Sequence, residues 1–367
     1  MNLKEIFPIK KKYIYFNSAS TGPLPYPSYK KIKEMAEYAC FKGEIEFFKI
    51  LKPAISELRK NIAKFFECKE EEIGFCKNTS HGILLSLLSI PFKKNDNIIV
   101  QEDSFPAIRV PAIFLGQKIK FCDFSKDTIK NLKKKVDKNT KVVIIDWVHF
   151  YKGYVIDLKE IGEFCKEKEI YFIVDGIQGA GVLPISLSKM PLDFFITGGS
   201  KWLLAPHGVG FIYINPETFK KINKNYVGWL SLEWKNFSDF NNLPSLRKGT
   251  QIFEEGTFNS LGIFGFNESM KIFVKIGKDK IYERIKNFIL EIRKILEIKD
   301  FEIIPNINSQ ISGIISFKSE NSYKIYKKFL KNNIIVSFRN EYIRVSPHFF
   351  NDKREILKFK EVLGGEK

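Results

Sequence analysis

The sequence predicts an α/β protein built on a mostly parallel sheet, with a smaller α+β domain following it. Three observations predict this. Short apolar runs alternate with amphipathic helical stretches through the middle of the chain. Small residues crowd the turns after two of those runs, in "VDGIQGAG" and "ITGGSK". From about residue 256 the texture changes to long helix, then to mixed strand and helix. Fully apolar runs of strand length fit a parallel sheet that is covered on both faces.

The elements follow in order. "NIIV" (97–100), "KIKFCDF" (118–124), "KVVIIDWV" (141–148), "IYFIVD" (170–175), "DFFITGG" (193–199) and "GVGFIYI" (208–214) read as strands. "DLKEIGEFCKEKE" (157–169) reads as an amphipathic helix between two of them. "GIFGFNESMKIFVKIGKDKIYERIKNFILEIRKIL" is helical in period, and "GIISF" and "IRVS" are strand-like. The expected organisation is a large domain over residues 17–255 and a small domain over 256–367, with residues 1–16 packing on the small one.

Composition narrows the function classes. A chain of 367 residues can bury a large core. With 44% hydrophobic and 28% charged residues it is globular in composition. The net charge of +18 invites a nucleic-acid reading. Lysine is spread along the whole length, however, with no basic tail or aromatic-interleaved patch, so no nucleic-acid partner is expected. Cys40, Cys68, Cys76, Cys122 and Cys165 are odd in number and include no C-x-x-C pair. Neither a metal site nor a disulfide framework is expected, and a reducing, cytoplasmic setting fits. "GILLSLLSIPF" is too short to span a bilayer, and the first residues lack a signal-peptide core.

Chemistry is sought at the carboxyl ends of the strands, where open parallel sheets bind ligands. Asp175 ends "IYFIVD"; it is a helix cap or a site residue. Lys201 follows the next strand, among glycines and apolar residues. Desolvation there would lower its pKa and make it a usable amine nucleophile. An aspartate on the same rim could hold a pyridinium nitrogen protonated. In "KNTSHGILLSLLSI" (77–90), Asn78, Thr79 and Ser80 are cap residues before an apolar helix. That is a plain capped helix or an anion site. His149 ends another strand, as a substrate-facing or a capping residue.

Together these motifs resemble the class V aminotransferase family, pyridoxal-phosphate enzymes of fold type I. The family includes cysteine desulfurases, selenocysteine lyases, isopenicillin-N-epimerase-like proteins and, more distantly, kynureninases. The resemblance runs through "YFNSASTGPLP", "NTSHG", "VDGIQGAG", "GGSKWLLAPHGVGF", "FEEGTFNSLGIFG" and "IRVSPHFFND". It implies that Lys201 is the Schiff-base lysine and Asp175 the pyridinium partner. Gln178 would meet the cofactor's phenolic oxygen. Thr79 and Ser80 would bind its phosphate, with Ser200 as a further donor. Phe105, in "QEDSFPAIRVP", falls where the family places a ring over the cofactor. Thr257, in "EEGTFN", matches a threonine that reaches the neighbouring subunit's phosphate, which implies a homodimer with shared sites. Arg344, in "IRVSPH", matches the arginine that grips the carboxylate of an amino-acid substrate.

One departure bears on the reaction. Cysteine desulfurases carry a loop cysteine shortly before the arginine motif. Here that stretch is "IIVSFRNEYIRVSPHFF", without cysteine or loop insertion. A persulfide-forming desulfurase needs a thiol there. The expected reaction is therefore transamination or related chemistry at the α-carbon. The alternatives are β-lysis of cysteine or selenocysteine without a protein thiol, and epimerase- or kynureninase-like activity.

Overall fold

The computed structural model describes residues 2–43, 45–234, 242–299, 301–305 and 310–364. Thirteen strands occur among them: β1 (Ile14–Tyr15), β2 (Ile73–Cys76), β3 (Asn97–Gln101), β4 (Lys118–Cys122), β5 (Thr140–Asp146), β6 (Tyr171–Asp175), β7 (Phe194–Gly198), β8 (Gly210–Ile214), β9 (Glu302–Ile304), β10 (Ile315–Lys318), β11 (Ile334–Ile335), β12 (Ser337–Arg339) and β13 (Tyr342–Val345). Seven form one sheet in the order β2-β8-β7-β6-β5-β3-β4. Its pairs are parallel except those made by β8, which runs against both β7 and β2.

Both faces of this sheet are covered, and that explains its unbroken apolar runs. Ile98, Val100, Ile144, Ile173 and Ile196 point into one core layer with Ile83, Leu87 and Ile108. Ile99, Val143, Ile145, Val174 and Phe195 point into the other, larger layer. Apart from the edge strand β4, each strand alternates between two interiors instead of between interior and water.

All six expected strands are present, with ends within about two residues of their predicted limits, as is usual at element boundaries. The strand Ile73–Cys76 was not anticipated. It has only four residues, one of them Gly74, and lies at the sheet edge. The long helical stretch is two helices, Ser260–Ile276 and Lys278–Glu297. Gly277, at φ 87°, breaks them in a conformation that favours glycine.

Strands β9, β10, β12 and β13 build an antiparallel sheet in the order β12-β13-β10-β9. The N-terminal strand β1 pairs in parallel with β11, and Asn17 bridges to Ser346. The segment 17–22 is thereby led across to the carboxyl ends of the central strands. No helix among the described residues is long and apolar enough to cross a membrane.

Candidate functional site

Adjacent parallel strands end side by side, so register decides which groups meet. β5 and β6 place Asp146 directly opposite Asp175. Lys201 follows one turn after β7, the next strand in the sheet. Three titratable groups thus reach one point because three neighbouring strands stop at one level.

Asp175 is buried, and its Oδ1 accepts the Ile177 N–H at 2.8 Å. Its Oδ2 is buried and has no hydrogen-bond partner among the described residues. Burial pushes its carboxyl up to about 6. Lys201 is half-buried, and loss of water lowers its ammonium to about 8. The Asp175 carboxylate opposes that shift, while Arg344 adds to it. The unusual setting of this lysine in the sequence therefore has a physical counterpart: it is held where its free amine is accessible near neutral pH.

The turn that carries Lys201 is gripped from outside. Gly22 donates its N–H to the Ser200 carbonyl at 2.8 Å. A Cβ on Gly22 would lie 2.1 Å from the Lys201 carbonyl oxygen, so the approach requires glycine. Ser200 itself is half-buried beside the lysine. The Lys201 Nζ lies 5.5 Å from the centroid of the Phe105 ring. That ring is packed edge-on against Phe150 at 5.3 Å and is partly exposed, so it can cover a flat ligand.

Phe105 is fixed through its backbone. Asp146 Oδ2 accepts the Phe105 N–H at 2.9 Å, and the Asp146 N–H donates to Gln101 Oε1 at 2.9 Å. Asp146 Oδ1 is buried without a hydrogen-bond partner among the described residues, and burial together with Asp175 raises this carboxyl well above its ordinary value. Sequence reasoning passed over Asp146. The signal was present, because "VVIID" ends in an aspartate after apolar residues, just as "YFIVD" does.

Gln178 is buried, accepting from Trp202 Nε1 at 2.8 Å and donating to the Ala19 carbonyl at 3.0 Å. One amide hydrogen remains for a ligand oxygen. The helix Thr79–Ser89 starts at the edge of the same site. Asn78 caps it by accepting the His81 N–H. Thr79 Oγ1 accepts the Gly198 N–H at 2.9 Å, which ties the helix start to the end of β7 and leaves its hydroxyl hydrogen to donate. Ser80 is exposed at the second helical position. The N–H groups of a first helical turn have no intrahelical partner, so this end can hold an anion.

Arg344 is buried by register in β13. It donates to Ser337 Oγ at 3.0 Å, to the Phe150 carbonyl at 2.6 Å and to Ser20 Oγ. It forms no ion pair among the described residues. Burial and the nearby Arg339 charge both disfavour its cation. A buried guanidinium without a carboxylate, two of its five donors still free, is a site for a carboxylate.

Two predicted site residues are joined to neither Lys201 nor Asp175 by a hydrogen bond among the described residues. His149 is buried, and its Nδ1 accepts the N–H groups of Tyr151 and Lys152. Its Nε2 therefore carries the hydrogen and meets Asp103, at 2.9 Å to the carbonyl and 3.2 Å to Oδ2. Both nitrogens are used, so His149 caps a turn and has none to offer a substrate. Thr257 is exposed and hydrogen-bonds to nothing among the described residues. Buried Glu254 anchors its loop, accepting the Phe75 N–H at 3.0 Å and pairing with buried Arg59 at 2.8 Å.

The hairpin before Arg344 is short. Asn340 and Glu341, both at positive φ, turn β12 directly into β13. Asparagine visits that conformation readily, while glutamate does so at a cost. The five cysteines are free. Burial raises the thiol pKa of Cys68, Cys76 and Cys122 to about 11–12 and that of Cys165 further still, so each is protonated near neutral pH.

The arrangement suits a flat protonated ring bearing an aldehyde and a phosphate. It offers an orphaned buried carboxylate oxygen for the ring nitrogen, a desolvated amine for the aldehyde and a free helix end for the phosphate. A family model described as Aminotransferase class-V matches residues 14–337. A probable cysteine desulfurase of Borreliella burgdorferi is 27% identical over 100% of this chain and 95% of its own. A probable cysteine desulfurase of Pyrococcus abyssi is also 27% identical, over 86% and 81%. A solved complex between the cystine C-S lyase C-DES and its reaction product cysteine persulfide superposes with a TM-score of 0.89, at 23% identity, covering 98% of this chain and 99% of that one.

Proposed function

The chain belongs to the class-V aminotransferase family of pyridoxal-phosphate enzymes, and from that premise we propose that it is a C–S lyase. Its substrates in this reading are cysteine-type amino acids, and the sulfur leaves without passing through a protein thiol. Transamination, the first expectation from the sequence, has less support, because the relatives named above are described as desulfurases and a cystine lyase. The observation that carries the thiol-independent part of the reading is the two-residue turn at Asn340–Glu341. It leaves no loop before Arg344 on which a thiol could reach a substrate.

The residues divide the work. Lys201 would hold the cofactor's aldehyde, and Asp175 Oδ2 would accept its ring N–H. Thr79 and Ser80 would hold the phosphate, Gln178 the phenolic oxygen, and Phe105 would cover the ring and keep water from it. Bound there, pyridoxal phosphate supplies an electron sink that weakens the bonds at the substrate α-carbon. Arg344 takes the substrate carboxylate. Lys201 Nζ, with its pKa near 8, would be suited to hold and move the substrate's α-proton. In the net reaction of this reading the β-carbon–sulfur bond would break with its electron pair on sulfur, and water would complete release of pyruvate and ammonia.

The working unit in this reading is a homodimer. Helix Pro106–Phe114 leaves Val110, Ile113 and Phe114 in water beside the site, with Phe114 85% exposed. Exposed Thr257, on its anchored loop, is placed to serve the neighbouring subunit.

Product analysis of the cofactor-loaded protein with cysteine and cystine tests the reaction. Pyruvate with released sulfide or persulfide is expected. Alanine with a protein-bound persulfide would make it a desulfurase, and a keto acid retaining the sulfur would restore transamination.

A further inference from the structure

Trp202, next in the chain after Lys201, is fully buried, and its indole N–H and its carbonyl are both engaged. The N–H donates to Gln178 Oε1 at 2.8 Å, and the carbonyl accepts from His348 Nε2 at 2.9 Å. The hydrogen of that imidazole sits on Nε2, because Nδ1 accepts the Phe349 N–H at 2.8 Å. Burial keeps the imidazole neutral, lowering its pKa to about 3. Gly313 admits the indole: a Cβ there would stand 2.5 Å from the Trp202 Cη2. Residues far along the chain thus hold the ring, and its single donor is aimed at the amide of Gln178.

An amide can turn end for end with almost no change of shape, so its neighbours decide which end faces where. An indole N–H only donates, and the Ala19 carbonyl, 3.0 Å from Gln178 Nε2, only accepts. Turned round, the amide would set hydrogen against hydrogen and oxygen against oxygen, with both of its ends buried. As built, Nε2 keeps one hydrogen for a ligand oxygen. Trp202 is the one donor to Gln178 Oε1 among the described residues.

We propose that Trp202 is a positioning residue whose indole N–H locks the Gln178 amide with Nε2 towards the cofactor's phenolic oxygen. Without that donor Oε1 is buried and unpaired, and the amide gains by turning away. The lysine turn thus carries two functions in adjacent residues, the amine at 201 and the lock at 202. This role rests on the assignment of the phenolic oxygen to Gln178, and it is the same whichever bond the enzyme breaks.

The colour of the loaded protein tests it. Pyridoxal phosphate joined to a lysine changes its visible absorption as it gains or loses a proton. A donor to the phenolic oxygen favours the unprotonated form and holds the midpoint of that change down. Titration of the cofactor-loaded protein should place the midpoint at least about 0.5 pH unit higher in Gln178→Ala, the size of one modest buried hydrogen bond. Trp202→Phe should move it in the same direction. Benzothienylalanine placed at position 202 alone should do so too; it keeps the indole's shape without the N–H, so packing is preserved where phenylalanine fails to fold. In the Gln178→Ala background neither change at 202 should move the midpoint further. A midpoint unmoved by benzothienylalanine, with Gln178→Ala shifted, overturns the lock and leaves the Gln178 assignment standing. Additive shifts at 178 and 202 mean that Trp202 acts by packing, and they overturn the lock as well. A midpoint unmoved in Gln178→Ala removes the Gln178 assignment and the lock with it.

Discussion

Asp175 shows how one carboxylate serves function at the expense of the empty fold. Its folded pKa, about 6, lies above the ordinary 3.8. The linked stability is fully present below about pH 4 and is lost as pH rises through 6, by about 3 kcal/mol. Lys201 acts in the opposite direction. Its pKa is lowered from 10.5 to about 8, so stability is lost as pH falls through 8. Between about 6 and 8 both buried charges weigh on the apoprotein. Asp175→Asn should therefore melt higher than the unmodified apoprotein at pH 7, with the difference shrinking towards pH 4. The same variant should lose at least about a hundredfold in turnover, since an amide cannot favour the pyridinium by charge. Melting curves across pH check the first half, and a pH-independent difference would remove Asp175 from its assigned environment.

The residue scale also shows what could be read in the sequence. Lys201, Asp175 and Thr79 stood out because each follows or opens an apolar run in unusual company. Asp146 carried the same mark in "VVIID" and was passed over, because no motif named it. Ser337 had no mark at all. Its place beside Arg344 depends on the pairing of β12 with β13, and pairing register is long-range information. His149 takes the capping one of its two readings in its hydrogen bonds, since the end of a strand is also where turns need caps.

Among the elements, the turn 199–205 and the segment 17–22 are the closest partners in the site. Gly22 permits that contact, with the Lys201 carbonyl and Leu204 Cδ2 within 2.1 and 2.5 Å of where a Cβ would stand. Gly22→Ala should cost about 1–3 kcal/mol through overpacking. It should also weaken cofactor binding, because the displaced backbone is that of the lysine. Cofactor titration followed by visible absorption checks this, and unchanged affinity would show that the segment does not support the turn. The hairpin β12–β13 gives a second prediction at this scale. Replacing all five cysteines by serine or alanine should leave C–S cleavage per folded site within about threefold, since Cys76, Cys122 and Cys165 are buried, Cys68 is half-buried, exposed Cys40 lies on the helix Tyr26–Lys42, and none stands on the β12–β13 turn. Loss of chemistry in a folded, cofactor-loaded variant would contradict it.

For the whole molecule, the α/β class and the five interior strands of the large sheet were legible because a sheet covered on both faces writes continuous apolar runs. The edge strand Ile73–Cys76 and the break at Gly277 were not, one being short and the other hidden inside a continuous helical period. The dimer belongs to this scale too. Phe114→Lys should shift sedimentation towards the monomer and lower cofactor affinity, if Thr257 serves the partner's site. A monomeric variant with full cofactor affinity would place Thr257 outside the machinery.

The central claim is that the chemistry is built around Lys201, in a chain where lysine occurs almost everywhere. Borohydride reduction of the protein loaded with pyridoxal phosphate, followed by peptide mapping, tests it most directly. The account predicts one cofactor adduct per chain, on the peptide containing Lys201, and no trapped adduct in Lys201→Ala. A stoichiometric adduct on any other lysine would contradict it.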